Sequence, residues 1–350
     1  MGIFKSEEEK LIKAIENKNV ERVKLILDNA TKRNKPLRLN DTDNEEEIYP
    51  LLKACKKNSY EIVKLLIDYA NENNIVLELN GKYKDGVYPL LWVCWKNNID
   101  IVRLLIEYAD NNNITLILND QDEDGWYPML EACWKNNIEI ARLLVYYANR
   151  NNIILELNNK DKNGWYPLLK SCLENNIDLV KLLIDYANNN NITLELEEKD
   201  YDYEFYPILY AFSDAHIRII RLLFNYAKQH DIVLDLNEKS KNGKYPLLYT
   251  CSEDNYESLE LLIKYANDNN IILEMNDRDD KGKNPILYAC EKNNIKNVQL
   301  LTKYAEAHNI RLRFKESDID IFSNVHTDIM EYLKHYDKKK VNNIYIYIYI

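Results

Sequence analysis

Apolar residues recur along this chain in a pattern that changes from helical to extended within each turn of a longer cycle. In one stretch Ile140, Leu143, Leu144, Tyr147 and Ala148 fall at i, i+3, i+4, i+7 and i+8, the spacing of a single helix face. This predicts a helix from about Glu139 to Asn149. Ahead of it, Tyr127-Pro128 opens a shorter helix with Leu130, Ala132 and Cys133 facing inward; proline is tolerated in a first turn because its missing N–H would be unpaired there. Asn136-Asn137 closes the short helix, asparagine being one of the few residues that accept the left-handed conformation. An Asn-rich break follows at Asn149-Arg150-Asn151-Asn152. Then comes Ile153-Ile154-Leu155-Glu156-Leu157, whose alternation reads as extended chain. It fits either short strands pairing between copies or an extended loop anchored by leucines. The same I-x-L-x-L pattern returns at Ile75, Ile114, Ile192, Ile232 and Ile271.

The cycle is set by proline. Pro50, Pro89, Pro128, Pro167, Pro207, Pro246 and Pro285 are separated by 39, 39, 39, 40, 39 and 39 residues, and a fixed period of this size marks a solenoid of stacked units. An eighth copy over 7–48 lacks the proline. There Ala14-Ile15 aligns with Ala54-Cys55, and Glu7-Glu8-Glu9-Lys10 supplies the polar face expected of an N-terminal cap. The remaining copies begin near 49, 88, 127, 166, 206, 245 and 284. One copy is irregular. Residues 198–206, EKDYDYEFY, carry an extra residue and place Glu204 where others have the turn glycine, Phe212 replaces cysteine, and Ala215-His216 replaces Asn-Asn. This reads either as drift in a copy that still stacks or as a hinge over 197–216. After Arg313 the pattern decays. Val325, Ile329, Leu333 and Tyr336 predict a capping helix over 323–336, so that the solenoid spans 1–338. The tail at 339–350, ending in alternating Ile and Tyr, predicts disorder, although its composition favours aggregation.

The motif D-x-x-G-x-Y-P-L-L-x-A-C, followed by N-N-I-E-I-V-K-L-L-I-x-Y-A, resembles the ankyrin repeat over roughly 8–316. The resemblance implies an all-α (mainly) fold, an α-solenoid of stacked helix-turn-helix ankyrin-like repeats with extended hairpin or loop segments between repeats. It also implies a surface of hairpins and short helices that contacts partners. The chain departs from the family pattern in three respects. Tyr stands at the usual capping Thr, which implies an apolar rather than hydrogen-bonded helix start. Leu stands at the usual His. The period is 39 rather than about 33, which implies a longer second helix or a longer loop after it.

Composition narrows the function. Lys+Arg number 46 against 57 Asp+Glu, a formal charge of -11, and an acidic chain is repelled by phosphate backbones, so nucleic acid is not the expected partner. Cys55, Cys94, Cys133, Cys172, Cys251 and Cys290 occur once per copy. Equivalent residues of stacked helices lie roughly 8–10 Å apart, beyond the roughly 7 Å Cα limit of a disulfide. They read as small buried hydrophobes in a reducing compartment. No signal-peptide core opens the chain, and no run reaches the roughly 20 apolar residues of a membrane span. The expectation is an intracellular monomer, cytoplasmic or nuclear. Met1-Gly2-Ile3-Phe4-Lys5-Ser6 fits a myristoylation pattern at Gly2, but Glu7-Glu8-Glu9 would oppose an anionic membrane, and it reads as an ordinary start. Phosphate-binding glycine loops, H-E-x-x-H, CxxC and G-x-S-x-G are all missing, so no enzyme, cofactor or metal site is expected. His230 and His308 share one position at the end of the second helix, which implies a cap.

The candidate site comes from comparing the copies. Core positions should be apolar in every copy, and the second residue after each proline is always Leu. Variable positions face solvent or a partner. Two residues before proline the series is Ile48, Val87, Trp126, Trp165, Phe205, Lys244, Lys283. Three after, it is Lys53, Trp92, Glu131, Lys170, Tyr210, Tyr249, Tyr288. Six after, it is Lys56, Trp95, Trp134, Leu173, Ser213, Ser252, Glu291. All five tryptophans fall between 92 and 165. An exposed aromatic cluster is the usual make-up of a binding hot spot, and lysine at equivalent positions argues for exposure because it is rarely buried. The candidate partner-binding residues are Trp92, Trp95, Trp126, Glu131, Trp134, Trp165 and Phe205. Acidic neighbours would favour a basic or mixed-charge protein or peptide. Two alternatives stand beside this: a Trp cage for a methylated lysine or similar cation, with Glu131 or Asp124 supplying charge, and a structural spacer with the tryptophans packed between copies.

Overall fold

The computed structural model describes residues 6–42 and 48–339. Residues 1–5 of the myristoylation pattern, the acidic run 43–47 and the Ile-Tyr tail 340–350 lie outside them. Every proline of the period begins a short helix: Pro50–Lys57, Pro89–Trp95, Pro128–Trp134, Pro167–Leu173, Pro207–Ser213, Pro246–Ser252 and Pro285–Glu291. Each is followed by a helix of 13 residues: Tyr60–Glu72, Ile99–Asn111, Ile138–Arg150, Ile177–Asn189, Ile217–Gln229, Tyr256–Asp268 and Ile295–Ala307. The helices Glu7–Glu16 and Val20–Lys32 form the cap pair, and the Ser6 hydroxyl accepts the Glu9 N–H at its start. The long helices run through the first residues of the Asn-rich break. Two left-handed residues per copy make the turns. Asn136 (φ 55°) separates short from long helix, and Asn152 (φ 53°) ends the long one. His230 and His308 are C-caps, as their shared position implies. The final helix begins later than the pattern suggested, at Thr327–Lys339, with Val325 before it and Ile329, Met330 and Leu333 buried.

The chain divides into two compact units, Met1–Ser171 with Asp185–Ile192, and Cys172–Ile184 with Thr193–Ile350. Within each, short helices pack on short and long on long. Leu52, Leu91 and Leu130 are buried in the first unit, Leu209, Leu248 and Leu287 in the second, and all six cysteines are buried free thiols. Burial pushes the Cys133, Cys251 and Cys290 thiols up to about 12. Because each copy meets an equivalent neighbour, the same side chain satisfies the same contact each time.

The I-x-L-x-L segments are extended, but no strand forms among the described residues. The strand alternative is therefore corrected, for a specific reason. A ladder would pair backbone with backbone; here side chains take those groups. The Tyr147 hydroxyl accepts the Leu116 N–H (3.0 Å) and donates to the Ile114 carbonyl (3.1 Å) of the preceding segment. Tyr108, Tyr186, Tyr265 and Tyr304 make the equivalent pair of bonds. Asparagines then bridge consecutive segments: Asn119 donates to the Ile154 carbonyl and accepts the Glu156 N–H, as Asn40, Asn80, Asn237 and Asn276 do in their copies.

The Tyr-Pro tyrosines do not cap their own helices. They are not merely apolar, however. Tyr88 and Tyr127 donate to the Asp120 and Asn159 carbonyls of the next copy. Where Asn284 replaces this tyrosine, it caps Leu287 and donates to the Arg313 carbonyl. The extra residue of the irregular copy is absorbed within its turn. Asp200 accepts the Asp202, Tyr203 and Phe205 N–H groups, and Glu204 takes the left-handed conformation of the missing glycine.

Candidate partner-binding surface

The hairpin turn of each copy places the residue two before proline over the short helix. Asp122 accepts the Asp124 and Trp126 N–H groups (2.9 and 2.8 Å), and Asp161 accepts that of Trp165 (2.8 Å). Successive tips are joined by single backbone bonds, Glu123 N–H to the Asp85 carbonyl and Lys162 N–H to the Asp124 carbonyl. The approach is close enough that a Cβ at Gly125 (φ 89°) would lie 2.6 Å from the Asp161 Cα, so both the turn and its neighbour require glycine.

On this frame the tryptophans of the first unit form a ladder of two groups, Trp92 with Trp95, and Trp126 with Trp134 and Trp165. Trp126 meets Trp134 edge-on with centroids 5.0 Å apart, and Trp134 meets Trp165 at 5.7 Å. Trp92 and Trp95 are 4.9 Å apart. Edge-to-face contacts at these distances are favourable beyond the area they bury. Trp95 is 43% exposed, Trp92, Trp126 and Trp134 are half-buried, and Trp165 is buried at 6%. Phe205 is half-buried in the second unit, where it contacts Tyr203, Tyr210 and Tyr249.

Lysines occupy several ring faces. The Lys96 ammonium is 4.0 Å from the Trp95 centroid, that of Lys170 4.1 Å from Trp134 and 5.5 Å from Trp165, and that of Lys56 5.8 Å from Trp92. Lysine does not mark exposed positions in the column three after proline. Lys53 is only 3% and Lys170 6% exposed. Lys53 pairs with Glu16, and Lys170 lies against indole rings, a contact that offsets lost hydration.

Glu131 is 4% exposed, and its Oε2 atom has no hydrogen-bond partner among the described residues. Burial raises its pKa to about 7; Lys135 opposes the shift and Asp122 adds to it. In the second unit the same column carries tyrosines whose hydroxyls donate to the turn aspartate, Tyr210 to Asp200 (3.1 Å) and Tyr288 to Asp279 (2.5 Å). Glu131 lacks that hydroxyl. The buried Trp92 Nε1 is likewise unpaired. Asp124, the other suggested acidic group, pairs with Lys162 at 3.1 Å.

A family profile described as "Ankyrin repeats (3 copies)" matches residues 11–115, 72–154 and 208–312, together more than half of the chain. The chain belongs to the ankyrin repeat family. Ankyrin repeats generally act as protein–protein interaction modules. Among solved structures, the ankyrin repeat domain of Bcl-3, a member of the IkappaB protein family, is 18% identical with a TM-score of 0.48, over 72% of this chain and 97% of that one. The ankyrin repeat protein EF0377 is 21% identical with a TM-score of 0.47, over 63% of this chain and 98% of that one. Comparison with curated proteins finds no match. In this ankyrin chain the comparison of copies located the aromatic columns but missed the lysines that lie on them, Lys96 and Lys170 above all. Lys170 already stood in one of the compared columns, and Lys96 is adjacent to Trp95, so the signal was present.

Proposed function

We propose that this chain is a non-enzymatic interaction scaffold that holds a protein or peptide segment against the tryptophan ladder of its first unit. The observation that carries the reading is the ladder itself. Trp92, Trp95, Trp126 and Trp134 come from consecutive copies, at positions the fold leaves free to vary, and none of them is fully buried. The spacer reading accounts for Trp165, which is buried, but not for Trp95. A cage for a methylated cation is disfavoured because the rings contact one another at 5.0 and 5.7 Å instead of enclosing a space, and because Lys96 and Lys170 lie over two of them. The reading includes an intracellular location, in keeping with six buried free thiols.

The test is affinity capture from native cell extract with wild type, Trp95→Ala and the double variant Trp95→Ala/Trp134→Ala. A partner retained by wild type should be weakened by the single change and lost with the double, while circular dichroism and the melting profile stay close to wild type. Unfolding of the double variant together with full capture by Trp95→Ala would place these indoles in the core and sink the proposal.

A further inference from the structure

Beside the tryptophan ladder, the residue seven after proline is lysine in three consecutive copies, Lys57, Lys96 and Lys135. Each stands at the end of a short helix, Lys57 as its last residue and Lys96 and Lys135 as C-caps. Lys18 joins them from the cap pair. The four are close enough to repel: burial first, then Lys18, Lys135 and Lys57, hold the Lys96 ammonium below its usual value. Glu16 pairs with Lys57. No carboxylate lies within 4.0 Å of the Lys18, Lys96 or Lys135 ammonium among the described residues.

A cation at a helix C-terminus is ordinarily explained by the helix dipole. That explanation fails here, because the same position carries Glu174, Asp214 and Glu253 in the next three copies before lysine returns at Lys292, and the short helices of those acidic copies form equally well. The fold does not require lysine at this position. A chain of formal charge -11 that gathers like charges on one face holds a local field opposite to its net charge. Two of the carboxylates that suggested a basic partner do not supply an accessible counter-charge, since Glu131 is buried and Asp124 is paired.

We propose that this face takes an acidic, extended segment of a partner protein, its carboxylates on Lys96 and Lys135 and its apolar side chains on Trp95, Trp126 and Trp134. The inference rests on the ladder being a docking surface. It adds a spacing. Stacked helices place equivalent residues roughly 8–10 Å apart. A polyproline II segment advances about 3.1 Å per residue with three residues per turn, so an acidic residue at every third position meets successive lysines from one side. An acidic protein segment is favoured over single-stranded nucleic acid because the hairpin tips beside the ladder carry Asp85, Glu123 and Asp124, which repel a uniformly charged phosphate backbone.

The test is selection of random displayed 12-residue peptides on the full chain, followed by titration of the enriched peptides against its tryptophan fluorescence. Enriched sequences should be acidic, with Asp or Glu recurring at every third position. Their affinity should fall at least tenfold in Lys96→Glu/Lys135→Glu and by less in Lys96→Gln/Lys135→Gln. Both changes should leave the fold intact, since other copies carry acids there. Basic or uncharged winners, no enrichment, or acidic winners indifferent to the lysine changes would each overturn the inference. So would a uridine homopolymer bound in preference to every peptide. Loss of non-acidic winners in Trp95→Ala/Trp134→Ala would keep the ladder reading while ending this one. Lysine-dependent acidic winners indifferent to the tryptophan changes would support the lysine face while ending the ladder reading.

Discussion

Glu131 occupies the one place in its column where a carboxyl stands in place of the ammonium, indole or hydroxyl of other copies. Burial raises its pKa from the usual 4.5 to about 7. The folded chain therefore binds a proton there that the unfolded chain releases near 4.5. The stability this contributes is fully present below about pH 4.5 and is lost as the pH rises through 7. Glu131→Gln removes the titration while keeping the shape. The variant should gain stability relative to wild type between pH 5 and 8, on the order of 1–3 kcal/mol at the upper end. Denaturant midpoints of both proteins across that range would measure it; parallel profiles would mean the carboxyl is solvated or paired. The sequence singled out Glu131 as a variable position, but not its burial, because variability reports what the fold tolerates rather than what covers a side chain.

At the level of the element, the helix pairs were legible because their face recurs eight times and a proline marks seven of the eight starts. The extended segments were legible as extended, yet not as unpaired, since I-x-L-x-L looks the same whether backbone or side chains complete its hydrogen bonds. The deciding partners, Tyr147 and Asn119, lie outside the segment they serve, and Tyr147 read only as part of an apolar helix face. Tyr147→Phe isolates this device. It leaves the ring and removes the hydroxyl bonded to the Leu116 N–H and Ile114 carbonyl. An orphaned buried N–H should lower stability by about 1–3 kcal/mol and speed hydrogen exchange at the Leu116 amide. Tyr146→Phe, on an exposed neighbour, should change stability by less than about 0.5 kcal/mol. Equal effects from the two would show that the hydroxyl bridge contributes nothing.

On the scale of the whole molecule, the chemistry is unevenly distributed along a nearly uniform scaffold. Tryptophans and three of the four lysines of the short-helix ends belong to the first unit, Lys292 being the fourth; tyrosines bonded to turn aspartates belong to the second. The period repeats the same pair of helices throughout, and the contacts group into two compact units, the first of which holds all five tryptophans. Stacked repeats couple mainly to their nearest neighbours, so a lesion in one unit should be felt weakly in the other. The placement of the five tryptophans makes this measurable: fluorescence reports the first unit alone, while far-ultraviolet circular dichroism reports all helices. Leu287→Ala and Leu130→Ala each open a cavity beside a short helix, a change that removes about 2–5 kcal/mol in a well-packed core. Leu287→Ala should give the dichroism curve an earlier phase in urea and leave the fluorescence midpoint nearly in place. Leu130→Ala should move the fluorescence midpoint directly. If both variants shift both signals equally, the chain unfolds as one cooperative body, and local coupling between repeats is the wrong description of its stability.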